Sequence, residues 1–336
     1  MLVGAMHMRA HPSKIARVYS FAAAAKMEGV EFFYFSPGKV NFRKKRIRGL
    51  YYSNGEWLEK NFPFPNVVIN MFSTNTDKQQ DIYIKLNSEV IYSENPIGDK
   101  EDIYNILNRS QNFRDYLPAT EVAYNVKNVH KFLDKHTRIV LKPSLGSQGI
   151  GILIIEKQSD SYKVYENGTE VTVKSLSEPL KKLELNYYIM QQFIISETTR
   201  GLPVDFRIHT QKNGEGKYIL TTIYPRIANV RNKVTNYSQG GYSVDYKSFL
   251  EHEYKDDWLF IYKLMKVFAI QLSEYINEYY FDTLNELGVD VGIDENNNIY
   301  LYEINWRPGV PIIFRGELDH AKNIIRYCKY KSKNSY

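Results

Sequence analysis

Asp290, Glu303 and Asn305 lie close together in the stretch GVDVGIDENNNIYLYEINWRPG, residues 288–309. Asp290 sits in the apolar run Val289, Val291, Ile293, while Glu303 and Asn305 alternate with apolar neighbours. The DENNN segment between the two runs is a turn signal, so the stretch reads as a β-hairpin. Residues two apart in a strand share a face, which points Glu303 and Asn305 the same way. A register set by the turn brings Asp290 opposite them. Two carboxylates and an amide oxygen on one face suit Mg²⁺, a hard cation that shares its oxygen ligands with phosphates. The same alternation also fits the solvated face of an ordinary hairpin, so the rest of the chain has to decide.

A second chemical stretch is RIVLKPSLGSQGIGILIIE, residues 138–156. Two β-branched strands flank a loop over residues 144–151. Gly146, Gly149 and Gly151 free its backbone, so its N–H groups can close over phosphate oxygens. No Gly-Lys-Ser/Thr closes the loop and no helix follows it, so it is not a Walker A loop. It reads as a glycine hairpin acting as a lid, with Lys142 at its base placed to neutralise phosphate charge. The strand VDFRIHTQ puts Asp205, Arg207 and His209 on one face. His209 reads as a strand-face residue, because no nucleophile is spaced to use it. Arg226 and Arg231 flank the polar loop VRNKVTNYSQGG, which contains Asn236. His7 and His11 are four apart but straddle a proline and do not read as a metal pair.

The elements that must position these groups follow from periodicity. Residues 1 to about 95 read as a small α/β domain. A strand (LVGAM) is followed by a helix carrying Ile15, Val18, Ala22 and Ala25, with Ser13 as its cap and Gly29 as its end; the strand VEFFYFS comes next. This βαβ opening lacks Gly-x-Gly-x-x-Gly, so it carries no dinucleotide fingerprint. The basic cluster RKKRIRG reads as a solvated hairpin. Asn95-Pro96-Ile97-Gly98 marks a boundary, and Asp99-Lys100 begins a helix with Ile103, Ile106 and Leu107 on one face. Residues 257–287 read as the longest helix, from apolar repeats at threes and fours.

The totals narrow the class. A 336-residue chain with 43% hydrophobic residues and mixed charge is a folded protein of one large domain or two. A net charge of +6 favours anionic ligands weakly and is too modest to indicate nucleic acid. One cysteine excludes an intramolecular disulfide and a cysteine-cluster metal site. No basic start precedes an apolar run, and no run approaches the ~20 residues of a membrane helix, so the cytoplasm is the expected compartment.

The order of these features resembles the ATP-grasp superfamily over residues of about 96 to 325. Lys100 resembles its first nucleotide-binding lysine and Lys142 its second. SLGSQGIGI, with Ser144, Gly146, Ser147, Gln148 and Gly149, resembles the phosphate lid. Gln191, Gln192, Phe193 and Ile194 resemble the segment that reads the adenine edge, with Gln192 where many members have Glu. Glu197 resembles the residue that holds the ribose. DFR and TNYSQGG, with Arg207 and Asn236, resemble the segments around phosphate and substrate. Asp290, Glu303 and Asn305, spaced by 13 and 2 residues, resemble the three metal ligands. The N-terminal part, in GVEFFYFSP, FPFPNVVIN and NILNRSQNFRDYLPAT, is similar to the YheC/YheD family of endospore coat-associated proteins.

The resemblance implies an ATP-grasp fold of the α/β (α+β) class. A Rossmann-like pre-ATP-grasp domain over 1–95 would precede the ATP-grasp domain over 96–330, with a lid subdomain at about 125–190 and a C-terminal core at about 191–330. It implies an ATP- and Mg²⁺-dependent carboxylate–amine (or carboxylate–thiol) ligase, with two ions, working through an acyl-phosphate. Arg207, Arg226 and Asn305 would serve the reaction. The expected partners are a carboxylate, as a peptide or coat protein, and an amine; a homodimer is left open, and neither nucleic acid nor membrane is expected. Two alternatives stand beside this reading: a non-catalytic ATP-binding protein of the spore coat, and a ligase for a small metabolite.

Overall fold

The computed structural model describes residues 1–71, 76–94, 97, 100–144, 151–166, 168–228, 235, 240–281, 283–309 and 316–334, leaving aside the side chains of 100 and 101. Its first part runs β1 (Leu2–Met6), α1 (Ala16–Met27), β2 (Glu31–Phe35), β3 (Val40–Asn41), β4 (Arg46–Ser53), β5 (Glu56–Pro63), β6 (Val67–Asn70), α2 (Asp77–Asn87) and β7 (Ile91–Tyr92). Strands β2, β1, β6 and β7 lie side by side and parallel, and β4 joins antiparallel at the β2 edge. The parallel strands are almost wholly buried, as a sheet covered on both faces requires. The basic cluster opens the β4–β5 hairpin, with its arginines mostly outward. Ser13 does not cap α1. It lies in a short 3₁₀ turn capped by the His11 side chain, because Pro12 fixes the backbone there, and α1 starts at Ala16.

The middle part runs α3 (Lys100–Asn108), β8 (Thr120–Val122), α4 (Val126–His136), β9 (Arg138–Pro143), β10 (Leu153–Lys157), β11 (Tyr162–Glu166), β12 (Thr169–Val173), α5 (Ser177–Lys181) and β13 (Tyr188–Gln192). Its strands form an antiparallel sheet in the order β12-β11-β10-β9-β13-β8. Ile139, Leu141, Leu153, Ile155 and Met190 bury one face against α4, whose Asn125 side chain accepts from Asn128 N as an N-cap. The opposite face carries Lys142, Ile189 and Val122 in register.

The last part runs β14 (Val204–Lys212), β15 (Tyr218–Ile227), β16 (Tyr242–Ser243), α6 (Tyr246–Tyr254), α7 (Trp258–Tyr279), β17 (Glu286–Ile293), β18 (Ile299–Asn305) and α8 (Gly316–Asn334). The sheet order is β16-β15-β14-β17-β18. One face packs on α7 through Phe206, Ile208, Val289 and Val291 against Met265, Phe268 and Leu272. The helix expected over 257–287 ends at Tyr279. Phe281 takes a left-handed φ of 54° and Leu284 N donates to Asn277 Oδ1, which turns the chain into β17. Glu286 and Leu287 are therefore strand residues. The helical spacing of the preceding turns did not reveal that break.

α8 packs along α1, and Ala321, Ile324, Ile325 and Cys328 complete the core beneath β1, β2 and β6. Each buried isoleucine contributes about 1.5–3 kcal/mol there, and Ile325→Ala would cost about 2–5 kcal/mol. Arg326 Nε donates to Glu28 Oε1 at 2.9 Å, and Ser20 bonds Glu317. Among the described residues no helix is long and apolar enough to cross a membrane.

Candidate active site

The hairpin that opens the chemistry is built by its turn. Asp294 Oδ1 accepts from Asn296 N and Asn298 N at 2.9 and 2.8 Å, and Asn297 takes the left-handed φ of 63° that asparagine tolerates. The resulting register places Asp290 opposite Glu303 and Gly288 opposite Asn305. Tyr302 is an extra residue in β18, since the pairing moves from Asp290↔Glu303 to Val291↔Leu301. Such a bulge re-aims its neighbours. It is accommodated by Gly292, where a Cβ would fall 1.9 Å from the Tyr302 hydroxyl. Burial raises the pKa of that hydroxyl, and Ser196 is its side-chain partner.

Asp290 lies beneath two guanidinium groups. Arg207, its neighbour on β14, forks onto both carboxylate oxygens, with Nη2 2.8 Å from Oδ2. Arg226 on β15 grips Asp205 through Nε and Nη2 at 2.6 and 2.9 Å, and its Nη2 also lies 3.1 Å from Asp290 Oδ2. Thr235 adds its hydroxyl to Asp205. Asn305 Nδ2 is 3.5 Å from Asp290 Oδ2, at the outer limit of a bond. Asp290, Arg226 and Asp205 are all buried. Burial pushes the Asp290 carboxyl up, but Arg226 and Arg207 outweigh it and hold the pKa below 3.8. Burial disfavours the charge on Arg226 too, yet Asp205 and Asp290 keep it firmly protonated. Gly288 makes this arrangement fit. A Cβ there would meet Pro308 Cβ at 2.6 Å and Arg207 Cδ at 3.2 Å.

Beside the hairpin lies a cavity of about 250 Å³ between α3, β8, β9, β13 and β18. Ile103, Leu107 and Val122 make it apolar, and Lys142, Gln191 and Glu303 give it charge and hydrogen bonds. Lys142 Nζ donates to Gln191 Oε1 at 3.0 Å, and Gln191 Nε2 donates to Thr120 Oγ1 at 3.1 Å. The amide orients the ammonium and adds no negative charge of its own. A flat apolar group with an anionic tail fits this lining, with the tail toward Lys142. The oxygen set of Asp290, Glu303 and Asn305 also fits a hard divalent cation by donor type and by register.

The structure thus brings together Lys142, Ser144, Gln191 and Glu303 on the cavity wall. It gathers Arg207, Arg226, Asp290 and Asn305 in one polar cluster on the sheet. Gln192 and Phe193 are half-buried at the end of β13 and past it, and Arg138 stacks 3.8 Å over the Phe193 ring. Ile194 is buried, and Glu197 is exposed on a short bridge with Pro203. None of Gln192, Phe193, Ile194 and Glu197 lines the cavity among the described residues. Gly146, Ser147, Gln148, Gly149, Arg231 and Asn236 lie outside the described residues, as does the side chain of Lys100 at the start of α3. Sequence reasoning missed Thr120 and the pairing of Asp205 with Arg226. The strand alternation of VDFRIHTQ and YILTTIYPRIA was the available signal, but it does not give cross-strand register.

Known proteins resemble this chain over most of its length. The family described as YheC/D-like ATP-grasp matches residues 90–330. The endospore coat-associated protein YheD of Bacillus subtilis (strain 168) is 24% identical over 325 residues, covering 90% of this chain and 71% of its own length. D-cycloserine synthetase DcsG superimposes with a TM-score of 0.54 at 14% identity, over 98% of this chain and all of that one (100%). The macrocyclase MdnC, bound with precursor peptide MdnA from Microcystis aeruginosa MRC, gives 0.52 at 14% identity, over 96% and 98%.

Proposed function

Because the chain belongs to the YheC/D-like ATP-grasp family, we propose that it is an ATP-dependent ligase joining a carboxylate to an amine. The observation that carries the reading is the meeting of Lys142 and Glu303 on one cavity wall, beside the cluster of Asp290, Arg207 and Arg226. A carboxylate is a poor electrophile. Here it takes the terminal phosphoryl group of ATP, leaving ADP, and the amine then displaces phosphate from the acyl-phosphate.

Ile103, Leu107 and Val122 hold the base by apolar contact, and Lys142 and Lys100 offset phosphate charge. Asp290, Glu303 and Asn305 would hold Mg²⁺, which would supply positive charge to offset the charge that develops on the phosphates. Arg207 and Arg226 hold their forks near that charge, so they can pass from Asp290 to an incoming phosphate or carboxylate. The segment over 144–151 covers the phosphates and excludes water that would hydrolyse the acyl-phosphate. Gln191 lines the same cavity, while Gln192, Phe193, Ile194, Glu197 and Asn236 would belong to the nucleotide site by family resemblance alone. A peptide carboxylate is the favoured substrate, a reading supported by the peptide-bound state of the similarly folded MdnC.

The test is ADP release over a panel of peptide carboxylates with amines, using the full chain and Glu303→Gln. Turnover that needs both substrates, and that falls by orders of magnitude in Glu303→Gln, supports the reading. A likeness to an endospore coat-associated protein favours one second reading, a structural role without catalysis. ATP binding with no ADP release over the whole panel would favour that role. Full turnover by Glu303→Gln would remove the metal assignment.

A further inference from the structure

His209 of β14, Glu286 of β17 and His320 of α8 converge from three separate elements. One nitrogen or oxygen from each lies within 4.8 Å of the others. All three side chains are buried, with exposures of 0, 3 and 0%. Glu286 Oε2 is 3.1 Å from His209 Nε2 and 2.7 Å from His320 Nε2. The group lies on the same face of the sheet as Asp290, four residues along β17, yet it takes no part in the ligase site. We infer that His209, Glu286 and His320 form a three-ligand binding site for a divalent transition cation of the zinc class.

Three observations carry this. Two imidazoles and a carboxylate are a zinc-type donor set, whereas Mg²⁺ prefers oxygen alone. The carboxylate is held by a fixed amide, as ligating carboxylates commonly are. Gln211 Nε2 donates to Glu286 Oε2 at 3.1 Å, and Gln211 Oε1 is itself fixed by Thr221 Oγ1 at 2.7 Å and Asn323 Nδ2 at 3.4 Å. The His320 ring is fixed by Phe21, stacked at 5.9 Å and 24°.

The alternative is a metal-free hydrogen-bonded pillar in which both imidazoles donate to Glu286. The Nδ1 atoms of both rings are buried without a partner. They are orphaned in either arrangement, as acceptors in the neutral pillar and as N–H donors beside a cation, so the inference rests on the ligand set. A cation here would tie α8, and with it the N-terminal core, to the strands that carry Arg207 and Asp290.

The test uses the full chain with Mg²⁺ in excess, so that the oxygen site around Glu303 is filled. After chelator treatment the protein is titrated with Zn²⁺ against a chromophoric chelator, and separately with Co²⁺ while the visible spectrum is followed. One equivalent of Zn²⁺, a tetrahedral Co²⁺ spectrum and a higher Tm with Zn²⁺ are expected. His320→Gln keeps a donor toward Glu286 and should melt in EDTA within a few degrees of the parent chain. It should lose at least about 100-fold in Zn²⁺ affinity, and Gln211→Leu about 10- to 100-fold. No stoichiometric Zn²⁺ in the parent chain, or equal affinity in His320→Gln, would overturn the site and leave the hydrogen-bonded pillar. Neither result bears on ligase activity.

Discussion

Asp290 and Glu286 stand four residues apart on one face of β17, and both are buried. Asp290 is held by guanidinium forks next to Asn305 and opposite Glu303, which lines the cavity. Glu286 is held by imidazoles and an amide under α8, away from the cavity. Arginine keeps its proton at any ordinary pH, so the partners of Asp290 can change position but not charge. Histidine can change charge, and here it has no room to change position. The difference separates a carboxylate whose partners have fixed charge from one whose partners do not.

The largest effect that would break this contrast is catalytic. Asp290→Asn should lower ATP-dependent turnover by about a thousandfold or more, given the several kcal/mol that metal placement supplies. Glu286→Gln should leave kcat/KM far less affected. Equal losses in the two variants would mean that both carboxylates serve the reaction.

Stability comes next. Arg226→Met leaves Asp205 and Asp290 short of a buried counter-charge, and should cost about 3–5 kcal/mol in a urea denaturation series. His320→Gln in EDTA keeps a hydrogen bond on Glu286 and should cost only about 1 kcal/mol. A reversed order would make the imidazole cluster the stiffer of the two.

The smallest effect is a pair of pH windows, measured in EDTA. Burial lowers the His209 pKa more than Glu286 raises it, so folding favours the neutral ring. That contribution is complete above the unfolded value of 6.5 and is lost as pH falls below it. Burial pushes Glu286 up, but His320 and His209 hold it below the usual carboxylate range, so its share is present above 4.5 and lost below. The Asp290 share persists to lower pH, fading only below 3.8. Stability should therefore begin to fall below pH 6.5 through His209. His209→Gln should flatten the decline, with the remainder from His7 and His136, which burial also lowers. An unchanged slope would show that His209 does not titrate on unfolding.

The hairpin was legible because its signals are local. A turn-forming DENNN and alternating apolar residues fix both strands, and the predicted opposition of Asp290 and Glu303 holds in the register. The extra residue Tyr302 was not legible, since its cause is the missing side chain of Gly292 on the other strand. Alternation put Asp205, Arg207 and His209 on one face, but their partners Arg226, Asp290 and Glu286 come from strands whose register is set by packing. The buried ends of both ion clusters were therefore visible as residues and invisible as pairs. The same limit hid the destination of α8, because a helical apolar stripe does not say which surface it will meet.

That destination has a kinetic consequence. Residues 1–92 leave the ribosome more than 200 residues ahead of Ala321, Ile324, Ile325 and Cys328, which finish their core. Until α8 arrives, the sheet formed first keeps an apolar face open. Contacts of such long sequence separation slow folding and lengthen the exposure of sticky surface. The step that completes the core beneath β1, β2 and β6 is thus the docking of α8, and it brings His320 to Glu286 at the same moment.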